Sequence, residues 1–182
     1  MNYLIGGMPR TGKSQLTQLL QEQLGCSVFG TDELIELFGN VVPEYGLRSD
    51  IDWQLKKAKV KPIILNLLKI YQKQGKNLII EGAMVRAEDY GEYLDIDPEL
   101  KCVFLGCCDI TIDQKLQNCR ENPTQNDWFL KETEAEQYRL IAEIISISKE
   151  IKGICTSSKI PYFDTSQNFN QTLNKALQFL TN

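Results

Sequence analysis

The sequence contains no histidine. That absence removes Ser-His-Asp and Cys-His hydrolysis, together with any histidine general base. Proton transfer must then fall to a carboxylate, lysine, tyrosine or water. The six cysteines (Cys26, Cys102, Cys107, Cys108, Cys119 and Cys155) include no C-x-x-C pair. With no histidine beside them, a zinc site is not expected. Several stand inside apolar runs, where cysteine packs as a small core residue, and reduced thiols in a cytoplasmic protein are the expected state. No apolar run approaches the length of a membrane span; stretches such as Ile63-Ile64-Leu65 break within a few residues. No targeting segment is expected either, and no membrane partner. Long basic runs are missing, and the net charge is −4. The densest cluster, Lys56, Lys57, Lys59 and Lys61, reads as a solvated helix face, so nucleic acid is not an expected partner.

What is there alternates. Short apolar runs give way to longer segments with helical spacing, and this pattern predicts a parallel sheet flanked by helices. Strands are expected near 2–6, 26–30, 77–81, 101–106 and 161–164, and helices near 13–24, 31–38, 53–74, 111–119, 128–154 and 168–181. Gly25 and Gly75 close the first and third helices. Thr31 or Asp32 caps the second, and Asp127 stands at the start of the long helix from 128. A length of 182 residues suits one domain over 1–182 with a sizeable core. The fold class expected is α/β, three-layered, with a five-stranded parallel sheet.

Residues 7–14 read Gly7-Met8-Pro9-Arg10-Thr11-Gly12-Lys13-Ser14, a complete G-x-x-x-x-G-K-[ST] phosphate loop. The apolar Tyr3-Leu4-Ile5 ahead of it and Leu16, Leu19, Leu20 and Leu24 behind it supply the strand–loop–helix context that the motif requires. Gly7 and Gly12 let the chain bend so that backbone N–H groups converge on phosphate oxygens. The helix from Lys13 adds its unpaired N–H groups and positive dipole end. Lys13 reaches the terminal phosphates, and the Ser14 hydroxyl suits Mg²⁺.

Other candidates sit where strands end. Asp32, after the second strand, is placed either to accept a proton from a substrate hydroxyl or to cap a helix. The third strand, Asn77-Leu78-Ile79-Ile80-Glu81-Gly82, ends in a carboxylate that suits Mg²⁺ and a glycine that permits close backbone approach. Arg86 is read equally as a contact to an anionic substrate group or as a surface ion pair. Arg48, in the turn-rich stretch 39–52, is a further candidate for substrate contact. Arg120 opens a polar stretch, and an arginine on a mobile lid near 119–128 suits a transferring phosphoryl group. Ile160–Ser166, followed by Phe169, reads as a last strand and turn, whose loop either lines an adenine pocket or is purely structural.

In this order of elements the chain resembles the small P-loop kinases of the nucleoside-monophosphate-kinase-like group, among them adenylate, shikimate and gluconate kinases, chloramphenicol phosphotransferase and the zeta-type toxin kinases. The resemblance implies a three-layer P-loop NTPase fold that uses ATP and Mg²⁺, with Asp32 facing the acceptor and Arg120 as the lid arginine. Adenylate kinases carry Asp-Gly-Phe-Pro-Arg after the third strand, whereas this chain has Glu81-Gly82-Ala83-Met84-Val85-Arg86. The guanine-reading Asn-Lys-x-Asp pattern is absent; Asn174-Lys175-Ala176-Leu177 lacks the aspartate. The expected function is ATP-dependent phosphoryl transfer to a small-molecule hydroxyl or phosphate. The alternatives are a regulatory ATPase or a non-catalytic ATP-binding module.

Overall fold

The computed structural model describes residues 1–124 and 127–182. Its strands are β1 (Asn2–Gly7), β2 (Ser27–Gly30), β3 (Leu78–Glu81), β4 (Lys101–Gly106) and β5 (Tyr162–Asp164). They form one sheet in the order β2-β3-β1-β4-β5, and every pairing is parallel. Among the described residues the helices are α1 (Lys13–Leu24), α2 (Thr31–Val41), α3 (Trp53–Gln74), α4 (Tyr90–Ile96), α5 (Ile112–Glu121), α6 (Glu134–Ser157) and α7 (Phe169–Thr181).

Strand alternation builds the layers. Leu4, Ile80 and Phe104 point to one face, where Ile64 and Leu68 of α3, Tyr93 of α4 and Ile141 of α6 cover them. Tyr3, Ile5, Ile79 and Val103 point to the other face, against Leu16 and Leu20 of α1 and Leu173 and Leu180 of α7. Both faces are buried, so the strands read as continuous apolar runs. Register then sets the site: Glu81 pairs with Ile5 and with Gly30, which places the ends of β1, β2 and β3 side by side.

Gly25 and Gly75 take left-handed conformations at the ends of α1 and α3, as expected. Three local expectations change. The N-cap of α2 is Gly30, with no side-chain cap; neither Thr31 nor Asp32 caps, because both already lie inside the first turn. The long helix does not start at 128. Thr133 caps α6 by accepting from the Glu136 N–H at 3.3 Å, and a separate 3₁₀ turn occupies Phe129–Lys131. The apolar residues of that turn had extended the helical pattern backwards. The seven-residue α4 escaped notice because it is short and contains Gly91. The polar stretch near 119–128 includes Gln125 and Asn126, which lie outside the described residues. Among the described residues, no helix is long and apolar enough to cross a membrane.

Candidate active site

The phosphate loop leaves β1 at Gly7 (φ 120°) and enters α1 after Gly12 (φ 94°). A Cβ on Gly7 would collide with the Leu105 backbone on β4, so the loop can hug the sheet edge only with glycine here. The loop's carbonyls are occupied by its own donors. Met8 O accepts from the Thr11 hydroxyl at 2.7 Å and from Lys13 Nζ at 2.9 Å. Arg10 O accepts from Lys115 Nζ at 2.6 Å. Gly12 provides no side-chain cap, so the first N–H groups of α1 stay available for an anion. Phe169, at the start of α7, packs against Gly12.

Arg10 adopts φ 63°, a left-handed conformation that costs a non-glycine residue about 1 kcal/mol. The surroundings hold it there. Its guanidinium pairs with Asp127 and lies 5.4 Å from the centre of the Phe129 ring. Asp127 also accepts from the N–H groups of Thr124 (2.9 Å) and Phe129 (3.2 Å). Thr124, Asp127 and Phe129 are thereby tied to Arg10 of the phosphate loop.

Beside the loop, the Ser14 hydroxyl lies 3.5 Å from Glu81 Oε1. Glu81 Oε2 is buried and has no hydrogen-bond partner among the described residues. Burial pushes the Lys13 ammonium down from its ordinary pKa, against the opposing pull of Glu81 and Asp32. Burial also pushes the Glu81 carboxyl up; Lys13 opposes this, while Glu33 and Asp32 add to it. Gly82 also makes a close approach within the fold. Its backbone approaches the Thr31 side chain, where a Cβ would clash, so the glycine there lets β3 pack against the start of α2.

A cavity of about 790 Å³ opens next to this cluster. Asp32, Glu36 and Asn40 of α2 line one wall, and Trp53, Met84 and Trp128 contribute apolar surface. Arg48 reaches the cavity but is bound to Asp50 through Nε (2.9 Å) and Nη2 (2.5 Å). Arg86 lies behind Trp53, 5.7 Å from its ring centre, with Nη2 2.7 Å from Glu88.

Of the residues singled out in the sequence, Lys13, Ser14, Glu81 and Asp32 come together around the phosphate loop. Arg48 and Arg86 stand nearby with acidic partners. Arg120 does not join them: on the outer side of α5, it bonds Gln137 at 3.1 Å and Glu134 at 3.2 Å. The α5 cation at the loop is Lys115, five residues earlier. Lys115, Asp127, Trp53 and Trp128 were not anticipated, since each acts across a long sequence separation that periodicity does not report. The Ile160–Ser166 run forms β5 and a tied turn. Asp164 accepts from Cys108 N at 3.1 Å and Ser166 N at 3.0 Å, contacts that brace the sheet edge.

No protein-family model matches this sequence, and no curated protein matches it either. Solved structures do. A gluconokinase from Sinorhizobium meliloti superimposes with a TM-score of 0.63 at 12% identity, covering 99% of this chain and 91% of that one. A shikimate kinase from Bacteroides thetaiotaomicron gives 0.60 at 15% identity, over 100% and 99%. A sugar kinase from Janibacter sp. gives 0.58 at 12% identity, over 99% and 94%. The chain has the fold of the small P-loop kinases over its whole length.

Proposed function

We propose that this protein is an ATP-dependent phosphotransferase acting on a hydroxyl of a small molecule. The observation that carries this reading is the adjacency of the phosphate loop, with Lys13, Ser14 and Glu81, to a cavity walled by Asp32. The loop amides and Lys13 bind the β- and γ-phosphates and offset their charge. Mg²⁺ would be held by the Ser14 hydroxyl and by Glu81, whose unpartnered buried oxygen fits a hydrated cation. Bound there, the ion supplies charge neutralisation on the phosphate oxygens.

Asp32 accepts the proton of the acceptor hydroxyl as its oxygen bonds to the γ-phosphorus. The bond from that phosphorus to the β–γ bridging oxygen breaks, and ADP leaves. The chain's main contribution is positioning and preset electrostatics, which is most of what phosphoryl transfer requires. ATP is the donor we favour over GTP, because no guanine-reading motif is present. The solved kinases of the same fold, whose names specify gluconate, shikimate and sugar, support a small-molecule acceptor.

The test is turnover with ATP and Mg²⁺ against a panel of hydroxyl compounds, with the phosphate ester detected directly. An acceptor-dependent ester that disappears in Asp32→Asn supports the reading. ATP hydrolysis that no acceptor stimulates would instead indicate a regulatory ATPase.

A further inference from the structure

We infer that Asp127 is a positioning residue that couples the two substrate sites, so that phosphates seated in the loop fix the Trp128 wall of the neighbouring cavity. This rests on the phosphotransferase reading, which supplies a nucleotide at one site and an acceptor at the other. A backbone in which left-handed residues alternate with ordinary ones turns successive N–H groups towards one point and forms a concavity for anions. Arg10 (φ 63°) and Gly12 (φ 94°) give the loop that alternation. Glycine takes up such a conformation freely, whereas arginine does so only where its surroundings hold it. Residue 10 therefore has two arrangements, gripped and relaxed, and only the gripped one completes the concavity.

Contacts on both sides grip it. Lys115 Nζ donates to its carbonyl at 2.6 Å. Its guanidinium, on a side chain 10% exposed, pairs with Asp127, whose side chain is 5% exposed. The second contact leads onward. Asp127 Oδ1 also accepts from the Phe129 N–H at 3.2 Å, and the buried Phe129 ring lies against the same guanidinium. Trp128 stands between Asp127 and Phe129 in the chain. Its ring meets Phe129 edge-on, with centres 6.0 Å apart, and it lines the cavity that Asp32 walls. Trp128 is 48% exposed, so its own packing fixes it weakly and its place depends on the residues on either side. The phosphate loop and the cavity wall thus share one carboxylate. Phosphates favour the gripped arrangement, because only there do the amides converge on them, and that difference in affinity is what a ligand can transmit. By the same linkage, a molecule that holds Trp128 in place tightens nucleotide binding.

The chain has two tryptophans, so Trp53→Phe leaves Trp128 as the sole one, and acrylamide quenching then reads its exposure. The probes are ATP and tripolyphosphate, each with Mg²⁺; tripolyphosphate fills the loop without a base to quench the indole directly. Calorimetry on the same samples reports binding. Acrylamide quenching of Trp128 should fall when either probe binds. In Arg10→Asn, built on the same background, saturation should need about tenfold more probe, and the fall in quenching should be lost. Asparagine tolerates the left-handed conformation, and Asp127 keeps its bonds to Thr124 and Phe129, so quenching without probe should match the Trp53→Phe parent. A pair that merely holds the fold together would change that value instead, and this result overturns the inference. Asp127→Asn should also lose the response; should it fail to fold, Arg10→Asn carries the test alone. Binding with unchanged quenching in the Trp53→Phe parent overturns the inference, as does a full response in Arg10→Asn. Loss of all probe binding in Arg10→Asn would make the arginine a phosphate ligand and overturns it too. No heat from either probe in the Trp53→Phe parent removes the phosphate site, so the phosphotransferase reading falls first and the coupling with it.

Discussion

Lys13 combines nearly complete burial, at 9% exposure, with a hydrogen bond to the Met8 carbonyl. Its removal leaves Met8 O still bonded to the Thr11 hydroxyl, so Lys13→Ala should keep its fold. It loses the charge that offsets the phosphates, and turnover should fall by about 10³-fold or more. Circular dichroism and steady-state kinetics on the same preparation check both halves. Lys115 and Arg120 make a second pair of expectations. Lys115 holds the Arg10 carbonyl at the loop, whereas Arg120 is spent on Glu134 and Gln137 at an exposed surface. Lys115→Ala should therefore weaken ATP binding about tenfold or more, and Arg120→Ala should change it by less than about threefold. Calorimetric ATP titration separates them; equal losses would mean that Arg120 swings to the nucleotide on binding.

At the scale of elements, α2 carries chemistry on one stripe and packing on another. Leu34 and Ile35 are buried, while Asp32, Glu36 and Asn40 face the cavity. Because Gly30 caps the helix without side-chain help, Asp32→Asn removes no capping bond. Its thermal midpoint should stay within a few degrees of the parent, with loss limited to the charge–dipole contribution of about 0.5 kcal/mol. Phosphoryl transfer should drop on the order of 10²-fold. Between α5 and α6, Asp127 is an anchor among the described residues. Asp127 joins the Arg10 guanidinium to the N–H groups of Thr124 and Phe129. Burial works against its charge, but these bonds prevail and hold its carboxyl below the usual range. Asp127→Ala strands the Arg10 guanidinium, which is almost buried, and should cost about 2 kcal/mol, less than a deeply buried pair because Thr124 and Trp128 beside it are exposed. For a chain of this size the midpoint should fall by about 6 °C, and nucleotide affinity should fall with it.

For the molecule as a whole, acid is the informative stress. Partial burial alone would raise the Glu88 carboxyl, yet its bonds with Arg86 and Lys57 bring it from an ordinary 4.5 down to about 2. The unfolded chain thus takes up this proton before the folded one does. The stabilisation is complete above about pH 4.5 and disappears as the pH falls from there towards 2. Urea unfolding of parent and Glu88→Gln should differ at pH 6 and converge near pH 2. A constant difference across that range would show that packing, not charge, makes the contribution. The ion pair also links the segment after β3 to α3 through Lys57, so the loss should accompany loosening of the Arg86–Trp53 wall of the cavity.

The sequence by itself determined the sheet-and-helix layering and the phosphate loop. Both are local: strand runs such as Leu78–Ile80, the helical spacing of Leu16 and Leu20, and the glycine and lysine positions of residues 7–14 are consequences of backbone geometry over a few neighbours. That reach also located Glu81, the last residue of β3, and Asp32, two residues past β2, since the ends of these strands must lie along one edge of a parallel sheet. Partnership lay beyond it. Whether a basic residue is free or already paired depends on which acid the fold brings close, and the structure bound Arg48 to Asp50, Arg86 to Glu88 and Arg10 to Asp127. It also chose Lys115 over Arg120 as the α5 residue at the loop, because one turn and a half of helix rotates the two to different sides. Only tertiary packing could place Trp53 and Trp128, 75 residues apart in the numbering, on one cavity, since contacts at that separation follow from how the layers close and not from any local preference of the chain.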